Sequence, residues 1–270
     1  MGAPSCRNQT GRFNRFILGL CLIGLTHTAL AQTAAAKGCS TSEAFETDRP
    51  DATNSPLAVP RGSFQAEDGV TWTGEDRSDV LDAAETMLRI GVADCTELAI
   101  ELPTYFYATH GQASSGFSDV SLAVKRQLPD FHGFVTAAIG GLAFPSGTNG
   151  ISDRGYDPYI QGSWSRDIGF DLSLAGMYTL TWLTSRSASN PSFQSTFEAK
   201  RDFTSSVSSF VEYVGDYPNH LRPQQTVDAG ANWQIADRQG VDAIFGFGLN
   251  GAAPNHFFGF GYSFRLDGLF

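Results

Sequence analysis

Five aspartates recur along the chain at a nearly constant interval, and they constrain the fold more than any other feature. Asp94, Asp130, Asp167, Asp202 and Asp237 stand in the short connections VADCTE, LPDFHG, SRDIGF, KRDFTS and IADRQG, separated by 36, 37, 35 and 35 residues. Between them run segments in which apolar and polar residues alternate, the period of a strand with two unlike faces. Twelve such segments are read: 64–73, 86–93, 96–107, 117–128, 132–144, 156–166, 168–180, 193–201, 204–214, 225–235, 240–250 and 257–266. Most approach the roughly 9–11 residues a tilted strand needs to cross a bilayer. Every second connection is short and carries the aspartate, whose side chain bonds its own backbone and tolerates left-handed geometry. The others are longer and rich in Gly, Ser, Asn and Pro: 74–85, 108–116, 145–155, 181–192, 215–224 and 251–256.

A repeating hairpin with tight turns at one end and long loops at the other predicts an all-β chain. The form is a transmembrane antiparallel up-and-down β-barrel of about 12 strands. A soluble sandwich or barrel also alternates. It does not require long and short connections to alternate in step with the strands.

The ends agree with the barrel. Arg7, Arg12 and Arg15 precede the apolar run FILGLCLIGL, and Ala29-Leu30-Ala31 has the small-x-small pattern of a cleavage site. Residues 1–31 therefore read as a signal peptide, 32–62 as a periplasmic arm or lumen plug, and 63–270 as an outer-membrane barrel. Without the signal peptide, 15 basic and 28 acidic residues give a net charge of −13, which excludes nucleic acid as a partner. Cys39 and Cys95 are the only cysteines after residue 31. Export permits them to pair, the alternative being two independent thiols.

The final segment, FFGFGYSFRL, alternates aromatic and small or polar residues. In a membrane barrel the aromatic face meets lipid. Gly259, Tyr262 and Phe264 follow the glycine-x-x-aromatic-x-aromatic spacing of a barrel-assembly signal. The chain ends at Phe270, and Phe257 stands where a polar residue is usual. The expected partners are outer-membrane lipid, the assembly machinery and a small-molecule solute.

Period two then sends a charged set inward: Glu67, Arg89, Glu97, Glu101, Asp119, Lys125, Asp171, Glu198, Lys200, Glu212, Asp228, Asp242 and Arg265. Facing lipid, such groups cost roughly 2–4 kcal/mol each for basic residues near the midplane, and less for acids. Inward they either fill a narrow barrel as a salt-bridge network or line an acidic conduit. Both readings stand at this point.

Catalytic patterns are absent from the sequence. His110, His132, His220 and His256 fall in predicted connections. None belongs to a His-x-Ser arrangement on a strand, an HExxH or a metal-spaced pair, and there is no GxSxG. No catalytic residue, metal or cofactor is predicted. A closed structural barrel and a lipid-acting surface enzyme are the alternatives to a channel.

Residues 46–69 contain TDRPD (47–51), Ser55-Pro56, Val59-Pro60 and the spacing Gly62-x-x-Gln65-x-Glu67. Together with MLRIGVAD (87–94), GFSDVSLAVKRQL (116–128), AFPSG (143–147) and FGFGYSFRL (258–266), this stretch resembles the outer-membrane family named for the MetA pathway of phenol degradation. The resemblance implies a monomeric transporter-like barrel for small, aromatic or hydrophobic compounds, and it brings no catalytic or ligand residues. Within the arm, Asp48, Arg49 and Asp51 either belong to a loose leader or enter the lumen and pair with its wall.

Overall fold

The computed structural model describes residues 45–270, apart from 76–77, 111–113, 153 and 185–188. The stretch read as a signal peptide, 1–31, and residues 32–44, which include Cys39, lie outside that range. The described chain is all strand and connection: β1 (Phe64–Gly74), β2 (Asp79–Ala83), β3 (Met87–Ala93), β4 (Thr96–Glu101), β5 (Tyr105–His110), β6 (Gly116–Phe117), β7 (Val120–Gln127), β8 (Phe134–Phe144), β9 (Asp157–Gly169), β10 (Leu172–Thr184), β11 (Ser189–Asp202), β12 (Val207–Pro218), β13 (Gln224–Ala236), β14 (Gln239–Gly248) and β15 (His256–Leu266). All pair antiparallel with their neighbours. β15 returns to β1 in an unbroken register from Phe64 opposite Leu266 to Gly74 opposite His256, which closes the sheet. Closure joins the ends of the ring, as a sheet in hydrocarbon requires, and among the described strands the two-residue β6 has β5 as its single strand neighbour.

These segments build twelve staves, because three staves are interrupted. β2 and β3 form the second, β4 and β5 the third, and β6 and β7 the fourth. The breaks lie side by side: Leu102 N–H reaches Thr86 O at 2.9 Å, and Ser118 N–H reaches Thr104 O at 2.9 Å. Pro103 explains one of them, since it has no N–H to donate to the ladder. Ala84 marks another with a left-handed φ of 57°. The second stave therefore extends into residues 79–83, which the sequence reading assigned to a loop.

Burial is inverted relative to a soluble protein. Among the described residues, the largest fully buried side chains are Arg89, Gln65, Glu67, Glu97, Glu212 and Ser263. Exposed large apolar residues recur at alternate positions, as in Leu98/Ile100, Leu122/Val124, Phe245/Phe247 and Phe258/Phe260/Tyr262. A largely polar inside and an apolar outside at alternate positions are what a lipid-spanning barrel requires. Tyr262 and Phe264 lie on the outer face, in ring contact at 6.2 Å, and Gly259 lies on the inner one. Phe270 is exposed beyond the last strand. Arg126 shares the outer parity but turns its guanidinium toward the tight-turn end, onto Asp94 O at 2.7 Å and Thr96 Oγ1 at 2.6 Å, as a snorkelling residue does.

The turn assignments need correction. Asp94, Asp130 and Asp237 lie in connections, but Asp167 and Asp202 are still in β9 and β11. Asp167 instead caps its turn through Oδ1, which accepts Gly169 N–H at 2.7 Å. The turn itself is carried by Gly169, Phe170 and Asp171, all with positive φ. Asp171 is thus an exposed turn residue at the rim rather than a strand residue in the lumen.

Candidate functional site

Residues 45–60 lie inside the barrel, bonded to its wall on sides about half the ring apart. On one side, Asp48 N–H donates to Glu67 of β1 at 2.8 Å, and its carboxylate meets Lys125 of β7 at 2.6 Å and Arg89 of β3 at 3.5 Å. Arg89 holds this cluster together. Its guanidinium donates to Glu67 at 2.8 Å and grips Glu97 of β4 at 2.9 and 3.0 Å. Such a two-pronged grip needs arginine's planar fork. Lys125 also reaches Glu97 at 3.4 Å and Ser55 O at 3.0 Å. Three carboxylates thus share two basic groups, and all five side chains are almost completely buried.

On the other side, Ala52 N–H donates to Glu212 of β12 at 2.8 Å. The Thr53 hydroxyl donates to the same carboxylate and contacts the Thr196 hydroxyl of β11. Asn54 reaches Gln161 of β9 at 3.2 Å. The returning chain is tied by Ala58 N–H to Gln127 at 3.3 Å and by Val59 N–H to Glu97 at 2.5 Å. These bonds satisfy backbone groups that a plug removes from water. Charged acceptors make them stronger than neutral ones.

Arg49 sits in a slot made by missing side chains. Gly69 of β1 and Gly261 of β15 are register partners on the inner face. A Cβ at Gly69 would fall 2.1 Å from Arg49 Nη2, and one at Gly261 would fall 2.7 Å from its Nε. Arg49 Nη1 bonds Glu85 at 2.7 Å, and Nη2 lies 3.8 Å from Asp242 of β14. In TDRPD, successive charged residues therefore address different parts of the wall.

The sequence-predicted lumen set divides accordingly. Glu67, Arg89, Glu97, Lys125, Glu198, Glu212, Asp228, Asp242 and Arg265 are buried inside. Lys200 is inside and less buried, 3.5 Å from Glu46 of the arm. Asp119 lies in the break between β6 and β7, where it accepts Gly147 N–H at 2.7 Å and Ser152 Oγ–H at 2.9 Å. With Glu101, Arg49 and Glu85 it lines a cavity of about 310 Å³ beside the interrupted staves. Arg265 turns to the tight-turn rim, 2.8 Å from Asp267. There partial burial raises Asp267, but hydrogen bonds from Arg238 and Ser63 and the charge of Arg265 outweigh it and hold the carboxyl below its usual range.

Inward apolar residues were not anticipated. Ala137, Ile139, Met177, Phe210, Val214 and Ile244 are buried on the polar parity of their strands. In β8, FVTAAIGGLAF, both faces are nearly apolar, so alternation gives no signal. Between the arm and the tight-turn end lies a cavity of about 1050 Å³, whose lining includes Phe45, Phe210, Glu198 and Lys200. Cys95, at a positive φ of 62° in its turn, is disulfide-bonded. The other cysteines of the chain, Cys39 among them, lie outside the described residues.

Comparison with solved structures shows the same architecture at low identity. An outer membrane channel from Pseudomonas putida F1 is 12% identical, with a TM-score of 0.62 over 82% of this chain and 100% of that one. The NanC porin is 10% identical, with a TM-score of 0.54 over 75% and 100%. The KdgM porin in complex with disordered oligogalacturonate is 11% identical, with a TM-score of 0.52 over 75% and 98%. No curated protein matches the sequence. The family model described as Putative MetA-pathway of phenol degradation matches residues 47–266, from the lumen-seated TDRPD to the last strand, and the chain belongs to that family.

Proposed function

We propose that this chain is an outer-membrane channel for small solutes, closed at rest by its own N-terminal arm. Residues 1–31 direct export, and the barrel acts as a monomer inserted by the assembly machinery. The observation that carries the reading is the seating of residues 45–60 across the lumen, on bonds to strands all around the ring. A barrel that merely needed filling could use wall side chains. Here the filler is a separate segment continuous with the chain terminus, which can leave without disrupting a strand.

The cavity of about 1050 Å³ is large enough for a small organic molecule. Its aromatic residues, together with the family's description, support small aromatic or hydrophobic compounds as the solute class. The fully interior charges favour cations among ionic species: Asp48, Glu67, Glu97, Glu198, Glu212, Asp228 and Asp242 oppose Arg89, Lys125 and Arg265. In a narrow lumen of low dielectric such an excess acts more strongly than in bulk water.

Reversal potentials in a KCl gradient test this with the full-length mature protein in planar bilayers. Cation preference is expected at low salt, fading toward 1 M, where the screening length is about 3 Å. Anion preference would contradict the interior charge. The Arg89 cluster also suits a permanently closed barrel. Absence of current from both the whole chain and a chain without the arm would favour that reading.

A further inference from the structure

We propose that a divalent cation of the calcium type binds between the arm and the wall, on the carboxylates of Asp51, Glu198, Glu212 and Asp228, and staples the arm shut. The proposal rests on the seating of the arm, not on transport.

Carboxylate oxygens of Asp51, Glu198 and Glu212 all lie within 4.8 Å of one another. Calcium takes oxygen ligands at roughly 2.3–2.6 Å, which puts opposite ligands about 4.6–5.2 Å apart. Magnesium, at roughly 2.0–2.1 Å, would need them nearer 4 Å. The three groups come from separate elements: Asp51 from the arm, Glu198 from β11 and Glu212 from β12. Glu198 and Glu212 are register partners across those strands.

A second observation is independent of this cluster. Asp228 of β13 is the register partner of Glu212 on its other side. It faces inward and is 4% exposed, and its Oδ1 has no hydrogen-bond partner. Its charge acts on Glu212, and that of Asp51 acts on it. A buried carboxylate oxygen without a donor is costly. Here it stands beside Glu212, within reach of the charge of Asp51.

The basic groups nearby do not balance the set. Lys200 acts on Asp51 and Glu198, yet its nearest carboxylate is Glu46, at 3.5 Å. Lys200 thus answers Asp51 and Glu198 in part and leaves Glu212 and Asp228 without a basic partner among the described residues, whereas the Arg89 side sets two basic groups against three carboxylates. The hydroxyls of Thr53 and Thr196 supply neutral oxygen beside Glu212. Calcium sites use such mixed oxygen sets. The competing occupant is a proton shared between Asp51 and Glu198, which would relieve that one pair and leave Asp228 unmet.

The test is equilibrium dialysis of calcium-45 against full-length mature protein in detergent, stripped with chelator, at pH 7.5. About one calcium per chain is expected, with a dissociation constant near the 0.1–1 mM range of extracellular modules. Asp51→Asn, Glu198→Gln and Asp228→Asn should each weaken binding by about tenfold or more, because affinity follows the number of charged ligands. Asp119→Asn, a lumen carboxylate outside the set, should leave binding intact. The heat-dependent gel shift of each variant reports whether its barrel has formed. No stoichiometric binding at several millimolar calcium overturns the proposal in favour of the shared proton. Binding that survives Asp51→Asn and Glu198→Gln overturns it in favour of a site elsewhere.

Discussion

Removing residues 32–57 is expected to raise single-channel conductance several-fold and to abolish fluctuations between closed and open levels. The deletion leaves Val59, which anchors the entry to β1 through Glu97, and every strand of the ring. It takes away the segment bonded to β1, β7, β9, β11 and β12. Because Cys39 goes with it, the variant also carries Cys95→Ser. The current should stay cation-selective, since the acidic wall remains although Glu46, Asp48 and Asp51 leave together with Arg49. Some stability should be lost, as Glu67 and Glu212 each lose a backbone N–H donor. Water entering the lumen resolvates both, so the loss should be smaller than the conductance change suggests. Planar-bilayer recording of both proteins checks this, and equal conductance would return the arm to the status of a loose leader.

Arg89→Leu is expected to be the most destabilising single substitution in the lumen, at about 3–5 kcal/mol, because it leaves buried carboxylates without their partner. Glu67, Glu97 and Asp48 all depend on Arg89, and its Nη2 also bonds Leu57 O at 3.3 Å. Lys125 can answer only part of that charge. Arg89→Lys should lie between wild type and Leu: it restores the charge but not the two-pronged grip on Glu97. The measurement is urea unfolding in detergent, followed by the mobility difference between heated and unheated samples. A loss below about 1 kcal/mol for Arg89→Leu would mean that water or local rearrangement replaces the cluster's bonds.

The number of staves and the sorting of most faces were legible because they depend on local chemistry. A strand with one face in lipid must alternate, and a two-strand unit must return through a turn. Both leave marks within a few residues, as in FFGFGYSFRL and the aspartate connections. The interruptions were less visible. Pro103 gave a usable signal, whereas nothing in Ala84 announces a left-handed residue. Asp171 was misplaced because Gly169, two residues before it, already begins the turn, so parity counted from the strand no longer holds.

The site was legible only as two separate lists. Inward parity brought out Glu67, Arg89, Glu97 and Glu212, and composition brought out Asp48, Arg49 and Asp51. Their joining was not readable, because Ala52 and Glu212 are 160 positions apart. No periodicity encodes which wall residue an irregular segment meets. The inner apolar residues Ile139, Met177 and Phe210 escaped for a different reason: sorting by polarity assigns every apolar side chain to lipid and allows no apolar filling under a plug.

The central claim, that the seated arm closes the lumen, can be tested within one molecule. The hydroxyls of Thr53 on the arm and Thr196 on β11 are in contact. Thr53→Cys with Thr196→Cys therefore places two sulfurs where a bond of about 2.05 Å can form. With that disulfide confirmed by mass spectrometry, single-channel conductance is recorded before and after reduction. Wild type is treated identically, because Cys95 is itself disulfide-bonded. The closed-arm account predicts a low, steady conductance in the oxidised double variant and a several-fold rise on reduction, with no such rise in wild type. Equal conductance in the locked and released states would contradict it.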